Sequence, residues 1–385
     1  MREASAPTQP PTAELYVGLM SGTSLDGADA VLADFSNGGI QVLGHAGAPF
    51  PATLRAELLS LNTPGGIDEL HRAALAGNSL ARVYAELTAR LLEGAGVAPD
   101  AVVAIGAHGQ TVRHRPLEFD EVGYTLQLNN PALLAELSGI DVVAEFRTRD
   151  LAAGGQGAPL VPAFHRALFS RDDQAIGVLN IGGISNLSLL PAGRAGAGEA
   201  VLGFDCGPGN ALLDHWCQSH LGHPYDAGGQ WAASGTVLPD LLDSLLAEPF
   251  FARKPPKSTG RDLFNPTWLA AQLQGIEARP QDVQATLAEL TAGVCTAEVQ
   301  RHGSTIGQLV VCGGGALNDH LMARLAALLP GVQVLSSAER GLPPQEVEAA
   351  AFAWLAHAAI RRQPGNLASV TGARGPRILG AIYPA

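Results

Sequence analysis

Two turns of nearly the same make-up constrain this chain more than any other feature. The first is Ser21-Gly22-Thr23-Ser24-Leu25-Asp26-Gly27-Ala28-Asp29, and the second is Asn180-Ile181-Gly182-Gly183-Ile184-Ser185-Asn186. Each lies between apolar runs, residues 15–20 and 28–35 around the first and 175–180 and 186–190 around the second, which predicts two hairpins, each opening an α/β unit. An ordinary turn needs one or two small or polar residues, not a whole run of them. Glycines bring backbone N–H groups close to an anion, and hydroxyls donate to its oxygens. Two such turns facing one cleft would hold a polyphosphate between them.

A third run, Cys312-Gly313-Gly314-Gly315-Ala316-Leu317-Asn318, joins a predicted strand at 309–312 to a predicted helix at 317–328. That arrangement suits a nucleotide lying flat on backbone at a helix N-terminus. The candidate nucleotide contacts are therefore Gly22, Thr23, Ser24, Asp26, Gly27 and Asp29, then Gly182, Gly183 and Asn186, then Gly313, Gly314 and Gly315, with Asp26 a candidate to hold Mg²⁺ through water. Two hairpins and a strand–glycine–helix in this order make the arrangement of the actin, heat-shock ATPase and sugar-kinase superfamily.

The remaining chain alternates strands and helices. Apolar residues at three- and four-residue steps predict a helix over 67–93, which Gly77 is expected to bend or divide, and others at 131–137, 210–220, 238–247, 267–275, 282–301 and 345–362. Strands are expected at 101–107, 124–128, 140–146 and 333–335. The domain reading is a disordered tail at 1–13, a first α/β domain at 14–145 plus 350–385, and a second at 146–349. With 46 Gly and 26 Pro the chain would suit disorder if apolar periodicity were missing, but here the glycines separate apolar runs.

The 36 acidic against 24 basic residues give a net charge of −12, and without a Lys/Arg cluster this argues against nucleic-acid or anionic-membrane partners. No window approaches about 18 apolar residues and the first residues carry no apolar leader, so a cytoplasmic protein is expected. Four widely spaced cysteines read as reduced thiols.

The usual P-loop, dinucleotide-binding, nucleophile-elbow and zincin signatures are missing. Instead, Gly203-Phe204-Asp205-Cys206-Gly207-Pro208-Gly209-Asn210 places one carboxylate at a strand end among small residues. Asn210 stands nearer the helix start and is better placed to cap it, which leaves Asp205 to face the cleft as a general base. Asp214, on the following helix, reads as a supporting or structural residue. Arg147 and Arg149, beside a Gly-rich stretch at 154–157, suit a carboxylate or phosphate, although a linker with solvated charge fits the same residues. His215, His220 and His223 lack metal-site spacing and read as a solvated helix end.

With these residues in view, the chain resembles the anhydro-N-acetylmuramic acid kinase family from Tyr16 nearly to its end. The resemblance rests on GLMSGTSLDGADA at 18–30, HGQTVRH at 108–114, FRTRDLAAGGQGAPLVPAFH at 146–165, NIGGISNLS at 180–188, GFDCGPGNALLD at 203–214, PPKSTGRDLFN at 255–265, VCGGGALN at 311–318 and GLPPQEVEAAAFAWLA at 341–356. It implies two ribonuclease-H-like α/β domains around a central cleft, the use of ATP and Mg²⁺, and a homodimer. By the same resemblance Asp205 is the base, the 22–29 turn binds ATP, and Thr111, Arg147 and Glu348 contact the sugar. The implied reaction uses water and ATP to turn 1,6-anhydro-N-acetylmuramic acid into N-acetylmuramic acid 6-phosphate in cell-wall recycling. A simple hexose or N-acetylhexosamine kinase and a non-catalytic sugar sensor are the alternatives. Two positions depart from the family: Asn129-Asn130 stands where Gly-Asp is common, and Glu145 where Asp is usual.

Overall fold

The computed structural model describes residues 13–22, 25, 27–193, 200–260, 263–303 and 305–385. Thr23, Ser24 and Asp26 of the first turn, and residues 1–12 of the expected tail, lie outside the described residues. Thirteen strands run in chain order: β1 (Leu15–Met20), β2 (Gly27–Asp34), β3 (Gln41–Pro49), β4 (Val102–Ala107), β5 (Gln110–Pro116), β6 (Gly123–Leu128), β7 (Val142–Ala144), β8 (Ala175–Ile181), β9 (Ile184–Leu190), β10 (Leu202–Pro208), β11 (Ile306–Cys312), β12 (Gln333–Ser336) and β13 (Ala381–Tyr383). The α-helices are α1 (Ala52–Leu61), α2 (Glu69–Ala95), α3 (Pro131–Ser138), α4 (Thr148–Ala152), α5 (Val161–Phe169), α6 (Asn210–Leu221), α7 (Gln230–Ala233), α8 (Pro239–Leu246), α9 (Pro266–Gln272), α10 (Pro280–His302), α11 (Asp319–Leu328), α12 (Val347–Ile360) and α13 (Ala368–Thr371).

Two sheets share one strand plan. In the first the order is β13-β7-β4-β1-β2-β3, and in the second β10-β9-β8-β11-β12. Each begins with three antiparallel strands joined in sequence, and each then adds strands parallel to its first one: β4 beside β1, and β11 beside β8. This is the ribonuclease-H-like plan, used twice. The sequence reading supplied β1, β2, β8 and β9 but passed over β3, whose exposure alternates along its length and whose glycines and alanines give little apolar signal. It also passed over α1 and β5, so that β6, expected at 124–128, lacked its hairpin partner.

Glycine decides how the helices lie on the first sheet. A Cβ on Gly18 of β1 would overlap the carbonyl oxygen of Ala349, and one on Gly106 of β4 that of Phe352. The alanine-rich α12 therefore rests directly on the sheet backbone, and the glycines are what let it approach so closely. Gly77 has a similar use. It does not divide α2, which runs unbroken, but lets the carbonyl of Asn129 pass 3.1 Å from where a Cβ would stand.

Three apolar clusters follow from this layering. One packs α1, α2 and α3 on the outer face of the first sheet, and another packs α6, α8, α10 and α11 on the outer face of the second. The third draws on both sheets, with Tyr16, Val31 and Ala104 from the first, Ile176, Val178 and Val310 from the second, and Phe164 of α5 and Phe352 of α12 between them. Among the described residues no helix is long and apolar enough to cross a membrane. All four cysteines are free and buried.

Candidate functional site

Asp205 lies on β10 where its pairing with β9 shifts register between Asp205 and Gly207. Directly across stands Asn186, and across from that Asn180 of β8, which in turn faces Cys312 of β11. Cross-strand neighbours share a face, so Asp205, Asn186 and Asn180 form one polar row at the end of an otherwise apolar sheet. Oδ2 of Asp205 accepts from Ser258 Oγ at 2.8 Å and from the Thr259 N–H at 2.9 Å. Burial raises the carboxyl above its ordinary range, and the Thr259 and Ser258 bonds and the Lys257 charge pull partly the other way.

The glycine turns divide into those that pack and those that remain open. The carbonyls of Gly182 and Gly183 accept from the N–H groups of Asn210 and Ala211, so the second turn caps α6 with its own backbone. Gly313 and Gly315 are demanded by packing, because a Cβ would collide with Asn180 and Ile181 at the first and with the Ile181 side chain at the second. Gly27 is similar, lying against the Ala48 carbonyl of β3. Gly314 is different: it lines a cavity of about 370 Å³ with Asn210, Asp214, Tyr225, Asp226 and Asn318. The expected helix at 317–328 starts later. Residues 314–317 form one 3₁₀ turn, and Asn318 caps α11 by accepting from the Leu321 N–H at 2.9 Å, so no free helix end faces the glycine run.

The opposite wall is charged. Arg147 precedes α4, and its Nε and Nη2 both approach His108 Nε2, at 3.1 and 2.9 Å, while Nη1 donates to the Gly157 carbonyl at 2.8 Å. Three of five donors are thus held. That leaves one N–H on each terminal nitrogen, donors of the kind that pair with a carboxylate. His108 must accept at Nε2, so it is neutral, and burial and the Arg147 charge hold it well below its usual range. Burial pulls Arg147 down to about 10, with Glu348 and Asp150 opposing, so it stays charged at neutral pH.

Glu348, in the first turn of α12, lies where the two sheets meet. Burial raises its carboxyl, Arg147 lowers it, and Asp29 of β2 raises it again. Glu348 also adds to the upward push that burial gives Cys312. One acidic side chain therefore stands between Arg147, the β2 strand and the polar row of the second sheet. Asp29, at the end of the first turn, is raised chiefly by burial. Next to it, Asp29, His45 and Gln345 line a second cavity of about 420 Å³, which shares Leu317 and Gln345 with the first.

Among the described residues, Gln110 Oε1 and both ends of the Asn129 amide are buried without a hydrogen-bond partner, whereas the ring of the neutral His108 bonds to the backbone of Gly109 and Ser21. Such groups are costly unless something pairs them, and together they suit a ligand rich in hydroxyls. Thr111 is on the adjoining β5 and accepts from Gln127 Nε2 at 3.2 Å. The Asn129-Asn130 departure is now legible. Asn130 caps α3, accepting from the Leu133 N–H at 3.0 Å, while Asn129 is the residue turned inward. Glu145 is exposed.

The 146–159 stretch is no solvated linker. Asp150 is fully buried and accepts from the Gly157 N–H, Asn366 and Thr371, at 2.7, 2.7 and 2.8 Å, which ties the stretch to the chain's C-terminal part. The role of His108 beside Arg147, and of Ser258 and Thr259 beside Asp205, escaped the sequence reading, although both motifs had been singled out. Neither contact has a spacing signal, since 39 and more than 50 residues separate the partners. Among the described residues no group of three His, Cys, Asp or Glu side chains would hold a metal ion, and His220 instead leans on Trp216.

Two ribonuclease-H-like sheets meeting at one polar seam, with glycine turns from both, define an α/β protein of sugar-kinase architecture. The chain belongs to the anhydro-N-acetylmuramic acid kinase family, whose model matches residues 14–385, and it is a kinase. It is 70% identical over 97% of its length to the anhydro-N-acetylmuramic acid kinase of Variovorax paradoxus, covering 99% of that protein. The same-named proteins of Albidiferax ferrireducens and Cupriavidus metallidurans are 60% and 59% identical, over 97% and 98% of this chain and the whole of each relative.

Proposed function

We propose that this kinase opens the 1,6-anhydro bridge of 1,6-anhydro-N-acetylmuramic acid with water and phosphorylates the freed O6, giving N-acetylmuramic acid 6-phosphate and ADP, as a step of cell-wall recycling. The observation that carries the reading is Asp205, a half-buried carboxylate with one oxygen held by two donors and, among the described residues, no donor on the other. Asp205 takes a proton from water as the water oxygen bonds to the anomeric carbon. The C1–O6 bond breaks, and O6 then attacks the γ-phosphorus while the bond to the β-phosphate oxygen is cleaved. The raised carboxyl strengthens Asp205 as a base.

Arg147, with two donors still to place, pairs the lactyl carboxylate, the group that separates a muramic from a glucosamine sugar. Glu348, Thr111, Gln110 and Asn129 supply partners for hydroxyls and the acetamido group. ATP is assigned to the first turn (Gly22, Thr23, Ser24, Asp26, Gly27, Asp29), the second (Gly182, Gly183, Asn186) and the glycine run at 313–315, with its adenosine end in the cavity under Gly314. Mg²⁺ that rides on the phosphates needs only one or two carboxylates through water, and Asp29 fits that need as the described neighbour of Asp26. Such an ion would offset charge on the β- and γ-phosphate oxygens. On this reading 14–145 with 350–385, and 146–349, are the two bodies that close on the substrates.

Mass spectrometry of the product formed in ¹⁸O-water tests the reaction. Label at the anomeric oxygen is expected. An unlabelled sugar phosphate means a simple kinase, and no product at all means a sensor.

A further inference from the structure

We propose that Ser258 is a positioning residue that, with the Thr259 N–H, fixes which oxygen of Asp205 takes the proton. This rests on Asp205 as the base and extends that reading to the PPKSTG stretch at 255–260. The segment is plugged into the core at one residue and presented to the site at the next two. Lys257 Nζ pairs with Glu298 Oε1 at 3.1 Å, both side chains almost wholly buried, and lies 4.8 Å from the centre of the Phe250 ring. Glu298 in turn holds Arg301 at 2.8 Å. The carbonyl of Lys257 accepts from the Asp205 N–H at 3.1 Å, so the anchored residue is bonded to the backbone of the very residue whose side chain the next two hold.

Both side-chain contacts fall on a single oxygen. Ser258 Oγ and the Thr259 N–H converge on Oδ2, and among the described residues no donor reaches Oδ1. A carboxylate oxygen that accepts two hydrogen bonds is the less basic of the pair, and the bonds also hold its plane in place. Oδ1 is left to receive the proton. Among the described residues the charged group that acts on Asp205 is Lys257 on this segment, and Asp205 in turn acts on the thiol of Cys206 beside it on β10, while β9 contributes the neutral Asn186.

The test is Ser258→Ala with Ser258→Thr as the conservative control, Ser258 being exposed so that its loss leaves the core intact. Removing a donor to the carboxylate favours its protonated form. The acid limb of kcat/KM should therefore move to higher pH by about one unit, the size of one hydrogen bond to a charged group. The loss should be concentrated on the acid side, KM for ATP should stay unchanged, and Ser258→Thr should restore the limb. An unmoved limb in Ser258→Ala, with Asp205→Asn inactive, overturns the positioning role and leaves the base in place. An active Asp205→Asn with its acid limb intact overturns both.

Discussion

The two sheets share a strand plan and differ in what their glycines do. In the first, Gly18 and Gly106 sit in mid-strand and let α12 lie on bare backbone. That close approach brings Glu348, at the start of α12, down to the seam beside Arg147 and Asp29. In the second, the glycines around the site sit in the turns, where Gly182 and Gly183 cap α6 and Gly313 and Gly315 seat the 3₁₀ turn against Ile181. There the strands themselves carry the polar side chains, with Asp205, Asn186 and Asn180 in a row. One sheet thus lends a platform to a helix that carries a buried carboxyl, while the other carries its polar row on its own strands. A repeated fold need not repeat its division of labour.

Asp205→Asn should break the second sheet's part most completely. The change keeps shape and removes basicity, so turnover should fall about 10²–10⁴-fold with nucleotide binding nearly intact. Because burial raises Asp205, the wild-type acid limb should lie above the ordinary carboxylate range, with activity lost as pH falls through it. More than about a tenth of wild-type turnover in the Asn variant would falsify the assignment.

Next in size is Gly18→Ala, which attacks the first sheet's platform. Its Cβ meets a backbone oxygen that has no rotamer by which to yield, so denaturant unfolding should show a loss of about 3 kcal/mol. A variant as stable as wild type would mean that α12 does not bear on β1 in this way.

Arg147→Ala tests whether the charged wall reads the sugar. One charge-assisted contact is lost, so kcat/KM for the sugar should drop roughly 10–100-fold while Kd for ATP is unchanged. Weakened ATP binding with the sugar spared would move Arg147 to the phosphate side and leave the lactyl carboxylate to another group such as Arg149.

The smallest effect separates open glycines from packed ones. At Gly314 the nearest group to a new Cβ is the end of the Asn210 side chain, 3.3 Å away, so Gly314→Ala should cost less than about 1 kcal/mol in stability. Calorimetry should nonetheless show weaker ATP binding. Gly315→Ala should do the reverse, failing by stability first.

Local pattern was enough to read much of this molecule. Apolar runs gave most of the strands and nearly all the long helices, because a buried strand or helix face needs apolar residues at its own period. That Asp205 lies on a strand shortly before a helix was also legible, as was Asn210 at the start of α6, although Asp205 stands in the middle of β10 and not at its end as expected. β3 escaped because its glycines and alanines do not alternate in hydrophobicity, though their exposure does. The 146–159 stretch looked like a linker because its glycines and arginines are those of a loop. What ties it down is tertiary: three donors converge on Asp150, two of them more than 200 residues away, and backbone bonds link Ala153 and Gln156 to Arg374 and Thr371.

The sequence by itself determined the elements, the two glycine turns and the residue types able to do the chemistry, since these depend on neighbours a few positions away. Tertiary structure decided the rest. It alone set which glycines pack and which open onto a cavity, because that depends on what crosses above each one. It alone placed His108 against Arg147 and Ser258 against Asp205, since a hydrogen bond acts within about 3 Å and leaves no trace in spacing when its partners lie 39 and 53 residues apart.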